Sequence, residues 1–297
     1  MSSTTNIHIQ SRGYKQENDY RWVKVIPQDD LKFEMPFFID SRSGFKLLDF
    51  VETQRPSVIL ACQKDYFFLL VTALETDSAR LDWANRPIRN SIAWTFKKDE
   101  EGINEKRIRA IAILALQNKL STKVHQAIKN DNAKDYGFSA DFSLLNTIGD
   151  SYDELKDLAP NLKSWISGDA EDIRQKLCDE LKTYSLPRRN GLLILVTTLK
   201  SKDFLRQVPV WRGISCRSTE GIEWLEDIEL EKIASSQKKT GFRKKGAFIA
   251  MLLIVMLSLV LLIGLYLKPI ILKPIKELPN QQEDTTQIHM EETQAMK

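Results

Sequence analysis

The chain has 297 residues, 42% of them hydrophobic, with 43 Lys and Arg against 40 Asp and Glu and a formal net charge of +3. That apolar content excludes disorder throughout, and the near balance of charge provides no global field for drawing in nucleic acid, so no nucleic-acid partner is expected. The three cysteines, Cys62, Cys178 and Cys216, are odd in number and widely spaced, which fits packed reduced thiols rather than disulfides or a metal site.

Residues 1–19 are dominated by Ser, Thr, Asn and Gln and read as a flexible arm. They lack the basic start, apolar centre and small-residue cleavage site of a secretory signal, so export of the following domain is not expected.

An α+β cytosolic domain is predicted over 20–217. Tyr20 to Ile26 carries the aromatic and β-branched residues of a strand and ends at Pro27. A second short strand is expected at Pro36 to Asp40, and a helical turn or two at Phe45 to Val51. Ser57 to Cys62 and Tyr66 to Leu74 form a hairpin pattern around Gln63 to Asp65, with both arms apolar on both faces. Such strands belong at the centre of a sheet that is covered on both sides. A third strand is predicted at Ser91 to Phe96, reached through the loop 77–90.

From Glu105 the period becomes helical through Ile113, Leu116, Leu120, Val124 and Ala127, giving one long helix or two broken near Ser121. Further helices are expected over Tyr152 to Leu158, resuming from Asn161, and from Gly168, where Asp169 can cap and Ile173, Leu177 and Leu181 supply the buried stripe. Leu192 to Leu199 and Val208 to Ser215 read as a second hairpin-like pair. The order of strands, then helices, then strands suits a mainly antiparallel sheet with a central block of helices.

Residues 218–246 read as an acidic helix, Thr219 to Ser236, followed by a basic juxtamembrane linker. Ala247 to Leu267 is an uninterrupted apolar run without charge, long enough at about 1.5 Å per residue to cross a bilayer core of roughly 30 Å as one transmembrane α-helix. Lys238, Lys239, Arg243, Lys244 and Lys245 before it, and Tyr266 and Lys268 after it, mark the membrane interfaces. The heavier basic cluster on the N-terminal side predicts a cytoplasmic domain and a tail, 268–297, on the opposite side. That tail carries Pro269, Pro274 and Pro279 and is expected to be disordered.

The common nucleotide, protease and hydrolase motifs are missing from the sequence, and His125 has no Cys or second His at ligand spacing. No catalytic residue, cofactor or metal is therefore assigned. What stands out is arginine near strand ends: Arg86, Arg89 and Asn90 in one loop, Arg188 and Arg189 in another, and Arg212 in a third. Guanidinium forks at one end of a rigid sheet would grip a phosphate or carboxylate. The chain accordingly reads as a single-pass membrane protein, its bilayer partner fixed by the span, with a non-catalytic cytosolic domain that senses an anionic ligand or binds a protein. The alternatives are an enzyme acting on a phosphorylated or nucleotide ligand at these loops, or a membrane-perturbing effector controlled by the domain.

Overall fold

The computed structural model describes residues 5–28, 30–36, 47–52, 54–75 and 80–225. Most of the strands join a ten-stranded sheet. They are β1 (Thr5–Ser11), β2 (Arg21–Ile26), β3 (Asp30–Phe33), β4 (Ser57–Gln63), β5 (Tyr66–Glu75), β6 (Arg89–Lys97), and, after the ribbon β7 (Ile128–Asn130) and β8 (Phe138–Ala140), β9 (Trp165–Gly168), β10 (Gly191–Thr197), β11 (Arg212–Ser215) and β12 (Glu223–Trp224). The order across the sheet is β12-β9-β11-β10-β4-β5-β6-β1-β2-β3.

The hairpin β4–β5 and strand β6 lie at the sheet's centre, as their two-faced apolar sequences require. Alternation sends Leu60, Leu69 and Trp94 to one face and Ile59, Leu70 and Ala93 to the other. The first face is covered by α1 (Ile103–Leu116), α2 (Leu120–Ala127), α3 (Phe142–Thr147) and α4 (Glu171–Thr183). On the second face, α5 (Lys202–Leu205) and the following Val208 and Val210 pack against β9–β11. The helical pattern from Glu105 is broken after Leu116, a little before the expected point, and Ile173, Leu177 and Leu181 of α4 are buried as predicted.

Several expectations are corrected. The supposed arm is not loose, because Thr5–Ser11 inserts between β6 and β2 with Ile7 and Ile9 wholly buried. Its Ile-His-Ile-Gln alternation is a strand signal on only four residues, short enough to pass as polar coil beside so many Asn, Gln and Ser. The second pair is not a hairpin: β9, β11 and β10 run parallel, since α4 and α5 carry the chain back between them. No helix forms over Tyr152 to Leu158 or from Asn161. That segment is held instead by buried Arg109, which donates to the Asp157 carboxylate at 2.9 Å and to the carbonyls of Lys156 at 2.6 Å and Leu181 at 2.8 Å.

Asp169 does not cap α4. Its carboxylate accepts both Nε and Nη2 of Arg174, and the N-cap is Ala170. The expected acidic helix does not include Glu223 and Trp224, which pair antiparallel to β9. The domain thus takes in residues at both ends of the predicted range 20–217. The strand expected at Pro36 to Asp40 lies almost wholly outside the described residues. So do the acidic stretch beyond Leu225, the basic linker, the run Ala247 to Leu267, the interface residues Lys238, Lys239, Arg243, Lys244, Lys245, Tyr266 and Lys268, and the tail. Among the described residues, no helix is long and apolar enough to cross a membrane.

The insertion of β1 can be measured. Ile9→Ala should lower unfolding free energy by about 2–5 kcal/mol in urea titrations, as for other fully buried isoleucines, whereas a loose arm would tolerate it without change.

Candidate functional site

The predicted arginine loops do not converge. Antiparallel pairing sets the C-terminal end of β5 and the N-terminal end of β6, where Glu75 faces Arg89, at one end of the sheet. The turn Lys64–Asp65 lies at the other, and there Lys64 N–H donates to the Asn190 side chain at 2.8 Å. Arg86, Arg89 and Asn90 therefore occupy one end. Arg188, Arg189 and Arg212 occupy the opposite one, with Arg212 opening β11 beside Ile194 of β10.

Arg212 is consumed by structure. Its guanidinium lies 4.0 Å from the Trp211 ring centre and 5.3 Å from that of Trp165, bonds Glu180 through Nε and donates through Nη1 to the Lys163 carbonyl at 2.7 Å. It is 1% exposed. Burial pulls its pKa below the ordinary arginine value, and Glu180 works against that pull.

The first end holds a cleft of about 470 Å³ whose walls include Gln10, Arg12, Tyr20, Gln54, Arg86 and Arg89. Arg12, the residue after β1, is the element that sequence reasoning missed. It is 7% exposed, and its Nε–H is buried and donates to nothing among the described residues. Nη1 reaches the Asp82 carboxylate only at 3.5 Å, and the guanidinium lies 5.6 Å from the Tyr20 ring centre. Burying a charged group with one donor idle is costly.

Local structure fixes that arrangement. Gly13 abuts Gly137, whose Cα would lie 2.6 Å from any Cβ added at Gly13, so the turn after Arg12 is seated on the β7–β8 loop. Behind Arg12, Arg80 donates to the Arg12 carbonyl at 3.1 Å, to Ser11 at 3.3 Å and to Asn130 at 2.9 Å. Ser11 in turn donates to Asn90 at 2.6 Å, which gives Asn90 a bracing role behind the cleft. Desolvation brings the Arg80 pKa down to about 10, so it stays cationic at neutral pH.

The loop from Arg80 to Arg89 is organised by Asp82. One carboxylate oxygen accepts the backbone N–H of Ala84 at 2.9 Å and of Arg86 at 3.0 Å, and the other accepts Arg86 Nε at 2.9 Å. Burial pushes the Asp82 carboxyl upward, yet these bonds outweigh it and hold the pKa below the usual carboxylate value. At the lip, Arg89 donates its backbone N–H to the Tyr20 hydroxyl at 3.1 Å and its guanidinium to the Gln54 carbonyl. A one-residue bulge in β5, with Ala73 at φ 53°, shifts the pairing so that Glu75 meets Arg89.

Such a site can hold an anion among guanidinium and amide donors. His125 lies on α2, away from this wall, and among the described residues no group of three or more His, Cys, Asp and Glu side chains is placed to hold a metal ion. The cysteines form no disulfide, and burial raises the thiol pKa of Cys178 to about 11 and of Cys216 to about 12. Comparison with family models, curated proteins and solved structures gives no match, so the functional reading rests on these residues.

Because the folded pKa of Asp82 is depressed, its stabilising contribution is present above the ordinary value of about 3.9 and is lost as pH falls through the folded value. Asp82→Asn should therefore cost about 1–3 kcal/mol at neutral pH, and urea midpoints of the two proteins should draw together below about pH 4.

Proposed function

We propose that this is a membrane-anchored, non-catalytic sensor whose cytosolic α+β domain binds an anionic small ligand in the Arg12 cleft. The single observation that carries the ligand reading is the Arg12 guanidinium, buried in the wall of the cleft with a long carboxylate contact and an Nε–H that no described group accepts. Arg86 and Arg89 supply further cationic forks at its rim. The wall offers cations, amides and a phenol beside the carboxylates of Asp19 and Asp82 and the Ser91 hydroxyl. With the Arg86 and Arg188 loops at opposite ends, an enzyme site shared between them is set aside.

The anchor in this reading is the apolar run Ala247 to Leu267, oriented by the basic residues before it. Trp224 pairs with Trp165, the first residue of β9, so the chain leaves the sheet at the end opposite the cleft.

Isothermal titration with inorganic phosphate tests the cleft. Arg12→Ala should weaken binding by about 1–3 kcal/mol, in the range for hydrogen bonds to charged groups, with Arg89→Ala weakening it in the same direction and Arg188→Ala leaving it unchanged. Equal binding by all of these variants sinks the assignment.

The anchor has its own tests. A cysteine introduced by Thr285→Cys should react with an impermeant reagent on intact cells, while one introduced by Asp65→Cys should react only after permeabilisation. Leu257→Arg should reduce membrane retention, since that charge costs roughly 2.5–3.5 kcal/mol at the centre of a span.

A further inference from the structure

We infer that Trp224, Leu162 and Leu158 form a second working surface of the domain, which settles into the headgroup layer of the bilayer that the chain's own apolar run enters. This rests on the anchor reading above and adds a lipid contact made by the folded domain itself. The Arg12 cleft takes no part in it.

The surface consists of large apolar side chains that the fold leaves in water. Leu162 is 66% exposed, Leu158 55% and Trp224 46%. They lie close together. Leu225 donates its N–H to the Ser164 carbonyl at 2.9 Å and Trp224 pairs with Trp165, which sets Trp224 beside the strip 158–163. Leu158 bridges to Tyr184 just past α4, and Lys176 of that helix lies 5.7 Å from the Trp224 ring centre.

The strip is firmly held although it belongs to no helix. Arg212, which the cleft does not use, donates to the Lys163 carbonyl at 2.7 Å and to the Asn161 carbonyl at 3.4 Å. Trp211 Nε1 donates to the same Asn161 carbonyl at 2.8 Å, and the Leu158 N–H donates to the Thr183 carbonyl at 3.2 Å. Fixed backbone therefore presents both leucines, and little ordering is required when they leave water. Clustered exposed apolar side chains on such a support mark a contact surface.

Two observations assign the contact to lipid. The first is place. Trp224 ends the last strand, and twenty-one residues, 226–246, separate Leu225 from the apolar run that begins at Ala247. Whatever path they take, they hold the patch within about 75 Å of that run. Such a reach keeps a bilayer surface at an effective concentration on the order of millimolar, so weak contact is enough.

The second is chemistry. An indole beside aliphatic side chains suits the boundary between headgroups and acyl chains, which accommodates both its apolar body and its N–H. Charge is not the attraction. Exposed Lys163 and Lys176 are matched by exposed Asp172 and Asp179, and the Glu180 carboxylate is turned inward to Arg212 and Trp165. The residues that follow include Glu226, Asp227, Glu229 and Glu231, so anionic headgroups add nothing. Contact should therefore form on zwitterionic lipid and persist in raised salt.

The experiment places the full chain in nanodiscs of phosphatidylcholine brominated near the headgroup end of the acyl chain, where bromine quenches indole fluorescence at short range. Brominated discs should quench the wild type relative to plain ones. Trp224→Phe should lose most of that quenching, and Trp83→Phe, which removes the exposed indole at the cleft end, should lose none. Leu162→Glu and Leu158→Glu should each reduce it at an unchanged urea midpoint, because both side chains are exposed. Quenching that is undiminished in Trp224→Phe, that follows Trp83 instead, or that is absent while the chain is held in the discs overturns the lipid contact and leaves the anchor standing. Protection of Trp224 from acrylamide only in discs carrying two copies gives the patch to a second copy and overturns the lipid contact likewise. Failure of the chain to enter discs overturns the anchor and this inference together.

Discussion

Strands β4, β5 and β6 are apolar on both faces, and the rest of the domain is arranged around the need to keep both faces dry. Leu60, Leu69 and Trp94 on one side lie in the core that the helices cover, while Ile59, Leu70 and Ala93 on the other belong to a second cluster with Trp22, Leu47 and Val51. Outward from this centre the strands become more polar, to Asp30–Phe33 at one edge and Glu223–Trp224 at the other. The cleft opens at the end of the β1 and β6 region, where backbone hydrogen bonding of the sheet gives way to side-chain donors.

Buried arginine does two different jobs in this molecule. Arg109 and Arg212 tie irregular backbone to helices and strands, donating to carbonyls and carboxylates that have no secondary-structure partner of their own. Exchanging such a residue for an apolar one would leave those acceptors unsatisfied in a poorly hydrated interior, which is the larger part of its cost. Arg12 is buried a little less deeply, its neighbours are arginine-rich and its one carboxylate contact is long.

The centre of the fold was legible in the sequence because β4, β5 and β6 are long, β-branched and bounded by turn residues. The α1–α2 break and the stripe of α4 were legible from helical spacing. The strand nature of Thr5–Ser11 was obscured by its polar half, since a strand between two others needs apolar residues on only one face when the other looks into a polar cleft. The parallel run of β9, β11 and β10 was hidden because strand direction depends on where α4 and α5 carry the chain. Arg86 and Arg89 were recognisable as anion-site candidates, but Arg12 was not. Its position is set by the Gly13–Gly137 contact and the Arg80 brace, both of which join segments far apart in sequence.

The pairing of β4 with β10 has a consequence for how the protein comes to be made. Val58 meets Val196, and Cys62 meets Gly191, across more than a hundred residues of chain. Until β10 arrives, the nascent hairpin presents one bare apolar edge of unpaired amides and carbonyls. Closure over that distance slows folding, and an uncovered edge is a template for pairing with a neighbouring chain. The helices α1 to α4 are made in that interval. Their early packing against the exposed face would shield one side of the waiting hairpin, but its edge remains open to intermolecular association until the last third of the domain is synthesised.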